Sequence, residues 1–222
     1  LEDPSGGLWV GTSGGGLNRY DRETDGFVHY RHDPEDPGSL ASDYVNSIYR
    51  DRSGALWVGT TNGLDKLDPN TGKFRHYQQD PENPNSLSSN QVFTVIEDHL
   101  GALWIGTSGG GLNRLDPETG QFTHYRHDPQ DPGSLSDDVA FVILEDRNGT
   151  LWVGSLGGGL HQFNRETEQF IRHQHDPADP DSLSSNYVNA LFADQAGTLW
   201  IGTTESLDKH DRQRRKFSRS LD

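Results

Sequence analysis

All five tryptophans of this chain sit in one motif: Leu8-Trp9-Val10-Gly11-Thr12, then LWVGT from Leu56, LWIGT from Leu103, LWVGS from Leu151 and LWIGT from Leu199. They are 48, 47, 48 and 48 residues apart. Self-similarity at a fixed period of about 20–50 residues indicates a solenoid, a propeller or an array. Between the tryptophans the sequence recurs almost position by position. The closest copies are SGGGLNRYDRETDGFVHYRHDPEDPGSL from Ser13 and SGGGLNRLDPETGQFTHYRHDPQDPGSL from Ser108. One supersecondary unit, used five times, must therefore build the fold.

Each unit reads as four short strands. Strand A is the apolar run 45–49, with counterparts at 92–96, 140–144 and 188–192. A tight turn follows, 51–54 or 146–149, the latter with an Asn-Gly pair suited to a hairpin. Strand B is the tryptophan motif. A glycine turn (13–16, 61–63, 108–111) leads to strand C at 17–20, and a turn such as Asp116-Pro-Glu-Thr-Gly120 leads to strand D at 27–30. No segment carries a sustained helical period, and proline or glycine interrupts too often for one. Four antiparallel strands in a unit of this length describe a propeller blade.

A single blade cannot bury both its faces, so tryptophan and the strand A aliphatics are expected to pack between neighbouring blades. Shared faces reconcile an ordered fold with only 30% hydrophobic residues, a composition that otherwise leans toward disorder. The expectation is an all-β chain, one β-propeller over 1–222, with four-stranded antiparallel blades at about 1–30, 45–77, 92–125, 140–173 and 188–220. The opening Leu1-Glu2-Asp3 aligns with Tyr49-Arg50-Asp51, so the first of the five blades lacks most of its inner strand. Either five blades close a ring across a weak seam, or they belong to a larger ring.

Charge and composition narrow the function. With 34 acidic and 19 basic side chains the net charge is −15, which argues against nucleic acid as a partner. Without cysteine, neither a disulfide framework nor a thiolate metal site can form. No apolar run approaches the ~20 residues that cross a bilayer. Methionine is absent even from position 1, which reads as a processed or excised piece, with room for a signal peptide or anchor outside it.

The phrase LWVGT-x-GGGL-x-R-x-D-x-ET-x-x-F-x-x-Y followed by HDPxDPxSLS, read at 8–30 with 32–40 and at 103–125 with 127–136, resembles the two-component regulator propeller repeat. The resemblance covers essentially the whole chain. It implies the extracytoplasmic, periplasmic or extracellular, ligand-sensing part of a hybrid two-component sensor, in a family linked to polysaccharide breakdown products. The fifth repeat departs from the pattern: Glu205-Ser206 replaces the glycine turn, and the segment 212–216 replaces the DPETG turn.

Several motifs invite chemistry and are better explained by structure. Gly11-Thr12-Ser13-Gly14-Gly15 and its copy from Gly106 match the nucleophile elbow G-x-S-x-G, but sit in a strand-to-strand turn and lose the serine at Thr61. Of ten histidines, His29, His76 and His124 share one repeat position, and His32, His127 and His175 another. Spread around a ring, they read as loop-bonding side chains rather than metal ligands. The loops holding Asp33 and Asp36, Asp128 and Asp131, Asp176 and Asp179 offer oxygen ligands for calcium, yet aspartate before proline equally suits rigid turns. Arg212, Arg214, Arg215 and Lys216 read as a solvated turn, and Asn148-Gly149-Thr150 as a hairpin before a glycosylation sequon. No catalytic residue, metal or cofactor is called for.

Topology locates the binding face better than any motif. The long inter-blade loop and the glycine B–C turn leave the same rim, and binding residues usually sit on loops held by a rigid scaffold. Polar and aromatic residues leading into strand A there are Asp43, Tyr44, Asn90, Gln91, Asp138, Asn186 and Tyr187. Tyrosine with amides or carboxylates suits sugar hydroxyls, an apolar ring face plus hydrogen bonds; the same residues also suit strand capping. The expected function is non-enzymatic binding of a small polar ligand such as an oligosaccharide. Binding of a protein partner, or self-association, is the competing class.

Overall fold

In the computed structural model, which describes residues 1–3, 6–211 and 216–219, each repeat folds as an antiparallel meander. Blade I holds β1 (Trp9–Gly11), β2 (Leu17–Asp21) and β3 (Gly26–Tyr30). Blade II holds β4 (Val45–Arg50), β5 (Leu56–Thr60), β6 (Gly63–Leu67) and β7 (Phe74–Tyr77). Blade III follows with β8 (Val92–Glu97), β9 (Leu103–Thr107), β10 (Leu112–Leu115) and β11 (Phe122–Tyr125). Blade IV has β12 (Ala140–Glu145), β13 (Leu151–Ser155), β14 (Leu160–Asn164) and β15 (Gln169–His173). Blade V has β16 (Val188–Ala193), β17 (Leu199–Thr203), β18 (Leu207–Asp211) and β19 (Lys216–Arg219). Blades II to V are four-stranded sheets and blade I is three-stranded, its inner strand reduced to a bridge between Glu2 and Leu8. No helix occurs among the described residues.

Strand alternation assigns the two faces of each blade. Successive side chains point to opposite sides of a strand, so in LWVGT the tryptophan faces one neighbour while the flanking leucine and valine face the other. The cores confirm this division. Trp57, Leu64, Tyr77 and the loop residue Leu87 of blade II meet Leu103, Ile105 and Phe122 of blade III in one cluster. Equivalent sets join I to II, III to IV and IV to V. Fully burying such side chains is worth roughly 1.5–3 kcal/mol each, so blade–blade joints, rather than single blades, hold the structure.

Five blades make four joints, and among the described residues no core joins blade V to blade I. Leu207 is 46% exposed, although Leu17, Leu64, Leu112 and Leu160 at the same repeat position are fully buried. At the other end Leu8 and Phe27 are 43% and 47% exposed, while their four counterparts are buried in every other blade. The blades therefore stand as an open arc.

A feature the hydropathy pattern concealed fixes every tryptophan. The indole N–H donates to the aspartate six residues earlier, in the A–B turn: Asp51 at 2.8 Å, Asp98 at 2.8 Å, Asp146 at 2.6 Å, Asp194 at 3.0 Å and Asp3 at 3.3 Å. The other carboxylate oxygen accepts a backbone N–H of the same turn, as Asp98 does from Ala102 at 2.9 Å. The one polar atom of a buried tryptophan is thus satisfied, as burial demands.

The third glycine of the B–C turn is required by geometry. Gly111 has φ +69, and a Cβ there would lie 2.3 Å from the Tyr125 carbonyl oxygen. Gly111→Ala is expected to lower the unfolding free energy by more than ~1 kcal/mol in a urea titration, since strain and a backbone clash act together. An unchanged midpoint would contradict this turn geometry.

Candidate functional site

The long loops and B–C turns do converge on one rim, tied by backbone bonds. Gly14 and Gly16 N–H donate to the Asp43 carbonyl at 3.0 and 2.9 Å, and Ser108 N–H to that of Gln91 at 2.9 Å. Gly111 N–H reaches the Asp138 carbonyl at 2.8 Å, and Gly159 N–H that of Asn186 at 2.9 Å. All seven rim residues named from the sequence lie in this band, and they divide into two groups.

Asp43, Asn90, Asp138 and Asn186 share one bond. Each Oδ1 accepts the backbone N–H eleven residues earlier, from His32 (2.8 Å), Gln79 (2.6 Å), His127 (2.7 Å) and His175 (2.7 Å). They clasp the two ends of each long loop. Tyr44, Gln91 and Tyr187 occupy the next position, where strand A begins, and their side chains are exposed. The Tyr44 ring lies over the B–C turn of blade I, beside Gly14.

Sequence reasoning missed a third group. Each inner strand carries a β-bulge near its start, between Val45 and Ser47, Val92 and Thr94, Ala140 and Val142, and Val188 and Ala190. A bulge leaves one residue outside the ladder and re-aims its side chain; here the residues are Asn46, Phe93, Phe141 and Asn189. Because β4, β8, β12 and β16 pack side by side, these four residues follow one another along the inner wall of the arc. Asn46 Nδ2 donates to the Val92 carbonyl at 2.8 Å, and the half-buried rings of Phe93 and Phe141 stand 5.1 Å apart at 59°. The available signal was the reading N, F, F, N at one position of an otherwise repeating strand. Beside Tyr187 opens a cavity of about 510 Å³, lined also by His175, Asn186, Glu205 and Arg219.

The other candidate groups hold structure. His32, His127 and His175 donate from Nδ1 to the carbonyls of Leu40, Leu135 and Leu183 at 2.9, 2.8 and 2.7 Å, which places their proton on Nδ1. In strand D, His124 Nε2 donates to the Ser86 carbonyl at 2.7 Å. His76 bonds Asp65 at 2.6 Å, and that bond raises its pKa above the ordinary histidine value. Asp33, Asp128 and Asp176 each accept the N–H two residues on, at 2.9, 2.8 and 2.9 Å, bending their own loops. Among the described residues no three histidines or carboxylates are grouped to hold a metal ion. Arg212, Arg214 and Arg215 lie outside the described residues; Lys216 pairs with Asp181.

The family model described as a two-component regulator propeller matches residues 39–62, 86–109, 134–157 and 182–205. Each stretch runs from the serine-leucine pair of a long loop through strands A and B to the turn beyond. Four stretches of the chain thus match the two-component regulator propeller repeat. The extracellular domain of a hybrid two-component system from Bacteroides thetaiotaomicron is 34% identical, with a TM-score of 0.75 over 97% of this chain and 27% of that one. A second such domain from the same organism is 25% identical, TM-score 0.65, over 100% of this chain and 37% of that one. The chain thus spans about a third or less of these relatives. A protein described as histidine kinase P4 of Formosa agariphila is 35% identical over 58 residues, 26% of this chain and 4% of that protein. Virginiamycin B lyase of Staphylococcus aureus shares the fold alone, at 13% identity and TM-score 0.68 over 99% of this chain and 68% of that one. Regulator propeller repeats here thus have the fold of domains found outside the cell.

Proposed function

We propose that these 222 residues form a single non-enzymatic sensor propeller unit, facing the periplasm or the cell exterior, that binds a small polar ligand of carbohydrate type on its long-loop rim. One observation carries the reading. Tyr44, Gln91 and Tyr187 stand free on that rim, while Asn46, Phe93, Phe141 and Asn189 line the wall just inside it. Aromatic faces interspersed with amides suit a ring that is apolar on its face and hydroxylated at its edge. Asp43 and Asp138 hold backbone amides in place, a structural task rather than proton transfer. Likeness to extracellular two-component domains supports a sensing role.

A thermal-shift series against neutral and acidic oligosaccharides, with and without calcium, tests it. A probe at ~100 times its dissociation constant adds roughly 2.7 kcal/mol, a melting rise of about 5–10 °C for a domain of this size. Tyr44→Ala is expected to reduce that rise while leaving the ligand-free melt nearly in place, since its exposed ring belongs to no blade–blade core; Phe93→Ala is expected to reduce the rise and also to lower the ligand-free melt, because it removes the half-buried ring contact with Phe141 of the next blade. No rise with any probe would favour a protein partner on the same rim.

A further inference from the structure

On the edge formed by the short turns, opposite the long-loop rim, blade II breaks the repeat. Blade III shows the ordinary arrangement. There one arginine covers two rings of joint III–IV: the Arg114 guanidinium lies 5.8 Å from the Trp104 centroid and 5.9 Å from that of Tyr125. The next blade neutralises it through the Glu168 carboxylate at 2.8 Å. Glu168 sits in the C–D turn of blade IV at φ 54, in the left-handed region that non-glycine residues rarely occupy.

At joint II–III two cations take the place of one. Lys66 replaces Arg114 and stands 4.9 Å from the Trp57 centroid; Arg75 replaces Thr123 and stands 4.9 Å from that of Tyr77. They are direct cross-strand partners on β6 and β7, where like charges destabilise the pairing. The other blades place Val28, Thr123, Ile171 and Ser218 at the position of Arg75, so the doubled cation belongs to blade II alone. The position of Glu168 is here Gly120, where a Cβ would lie 3.5 Å from Arg75 Nη2. The turn thus reaches the cations without bringing a carboxylate. Among the described residues neither Lys66 nor Arg75 forms an ion pair, in a chain of net charge −15. Nearby, Asp51 is engaged by Ser53, Ala55 and Trp57, and Asp68 by Asn70 and Thr71 of its own turn. Beside the two cations opens a cavity of about 510 Å³, lined also by Ala55, Leu67 and Pro69.

We propose that this cavity binds a small organic acid, its carboxylate between Lys66 and Arg75 and its apolar body over Ala55, Leu67 and Pro69. The ligand carboxylate takes the place that Glu168 fills beside Arg114 one joint further on. Arg75 offers a planar fork of N–H donors and Lys66 a point charge, a pair suited to a carboxylate. The volume falls within the ~300–1,000 Å³ range of small-molecule sites. The site shares no residue with the long-loop rim, so it stands or falls separately from the binding proposed there.

Isothermal titration calorimetry of the 222-residue protein with benzoate and hexanoate, against benzamide and sodium chloride at equal ionic strength, tests the proposal. Both acids are expected to bind at one site and benzamide is not, and added salt weakens the binding by screening. Lys66→Gln and Arg75→Thr should each reduce affinity by about tenfold or more, the loss of one charge-assisted bond. Gly120→Glu should abolish binding without removing either cation, because its own carboxylate then fills the site as Glu168 does at the next joint. Far-ultraviolet circular dichroism spectra verify folding of the three variants. Acids that bind no better than chloride would overturn the proposal. So would undiminished affinity in either charge variant or in Gly120→Glu.

Discussion

Trp104→Ala is expected to lower the unfolding free energy by about 3–5 kcal/mol. The residue is fully buried in the joint between blades III and IV. Its ring centroid lies 5.0 Å from Phe163 and 5.6 Å from Tyr125, and the Arg114 guanidinium stands 5.8 Å from it on the ring face. Removal leaves a cavity between two sheets that cannot collapse on each other without moving their strands. It also strips one donor from Asp98, a fully buried residue otherwise held by Leu100, Ala102 and Arg165 at 3.0, 2.9 and 2.7 Å. Burial would raise the Asp98 pKa, but the bonds from Trp104 and Arg165 outweigh it and hold the carboxyl below its ordinary value. In a nearest-neighbour architecture, weakening a central joint uncouples the blades on either side, so the urea transition should broaden as well as shift. Trp200 is the internal control. It lies on the open face of blade V, only half-buried, with Lys209 over its ring at 5.8 Å. Its replacement should cost distinctly less, and equal losses at the two positions would contradict the assignment of faces.

The blades were legible because the repeat period and the strand alternation are one-dimensional properties. Proline and glycine punctuate the strands at positions that the hydrogen-bonded ladders then respect, as in β4 to β7. The pairing of each tryptophan with an aspartate was also written in the sequence, as D-x-x-G-x-L-W, but hydropathy does not register a single indole bond. Ring closure was not legible. It depends on the angle between packed blades summed over five units, which only the exposure of Leu207, Leu8 and Phe27 reveals.

The rim was legible and its division of labour was not. Topology alone placed Asp43, Tyr44, Asn90, Gln91, Asp138, Asn186 and Tyr187 on one edge. Which of them spend a side-chain oxygen on a backbone amide depends on loop geometry, and the amide in question lies eleven residues away. The bulge residues Phe93 and Phe141 were hidden for a related reason. A bulge is a property of the register between two strands, and a strand read alone shows only another apolar residue.

Acid is expected to weaken the protein through a single histidine in blade IV. At the second position of strand C the other blades carry Asn18, Asp65, Asn113 and Asp208. Asp65, Asn113 and Asp208 accept a backbone N–H from the preceding long loop, at 2.8, 3.0 and 2.8 Å from Ala41, Ser88 and Ser184. His161 takes this place in blade IV. Its Nε2 accepts the Ser136 N–H at 3.1 Å, while Nδ1–H donates to the Val153 carbonyl at 3.2 Å. An imidazole that accepts at one nitrogen and donates at the other must be neutral. Burial lowers its pKa to about 4; the Val153 bond opposes that shift, and the charges of Arg172 and His173 add to it. The unfolded chain binds a proton near the ordinary histidine value of about 6.5, and the folded chain does not until about pH 4. Stability from this site is therefore complete above pH 6.5 and falls as pH drops toward 4, by up to about 3 kcal/mol. His76 acts in the opposite sense: its raised pKa contributes stability at low pH that is lost as pH rises through the folded value. The two are separated by His161→Asn, which keeps an acceptor of the kind Asn113 supplies and removes the titration. Urea unfolding of wild type and variant should run parallel above pH 6.5 and diverge below it, with the wild type losing more. Parallel curves down to pH 4 would show that His161 is protonated without cost, and that the Ser136 bond does not hold it neutral.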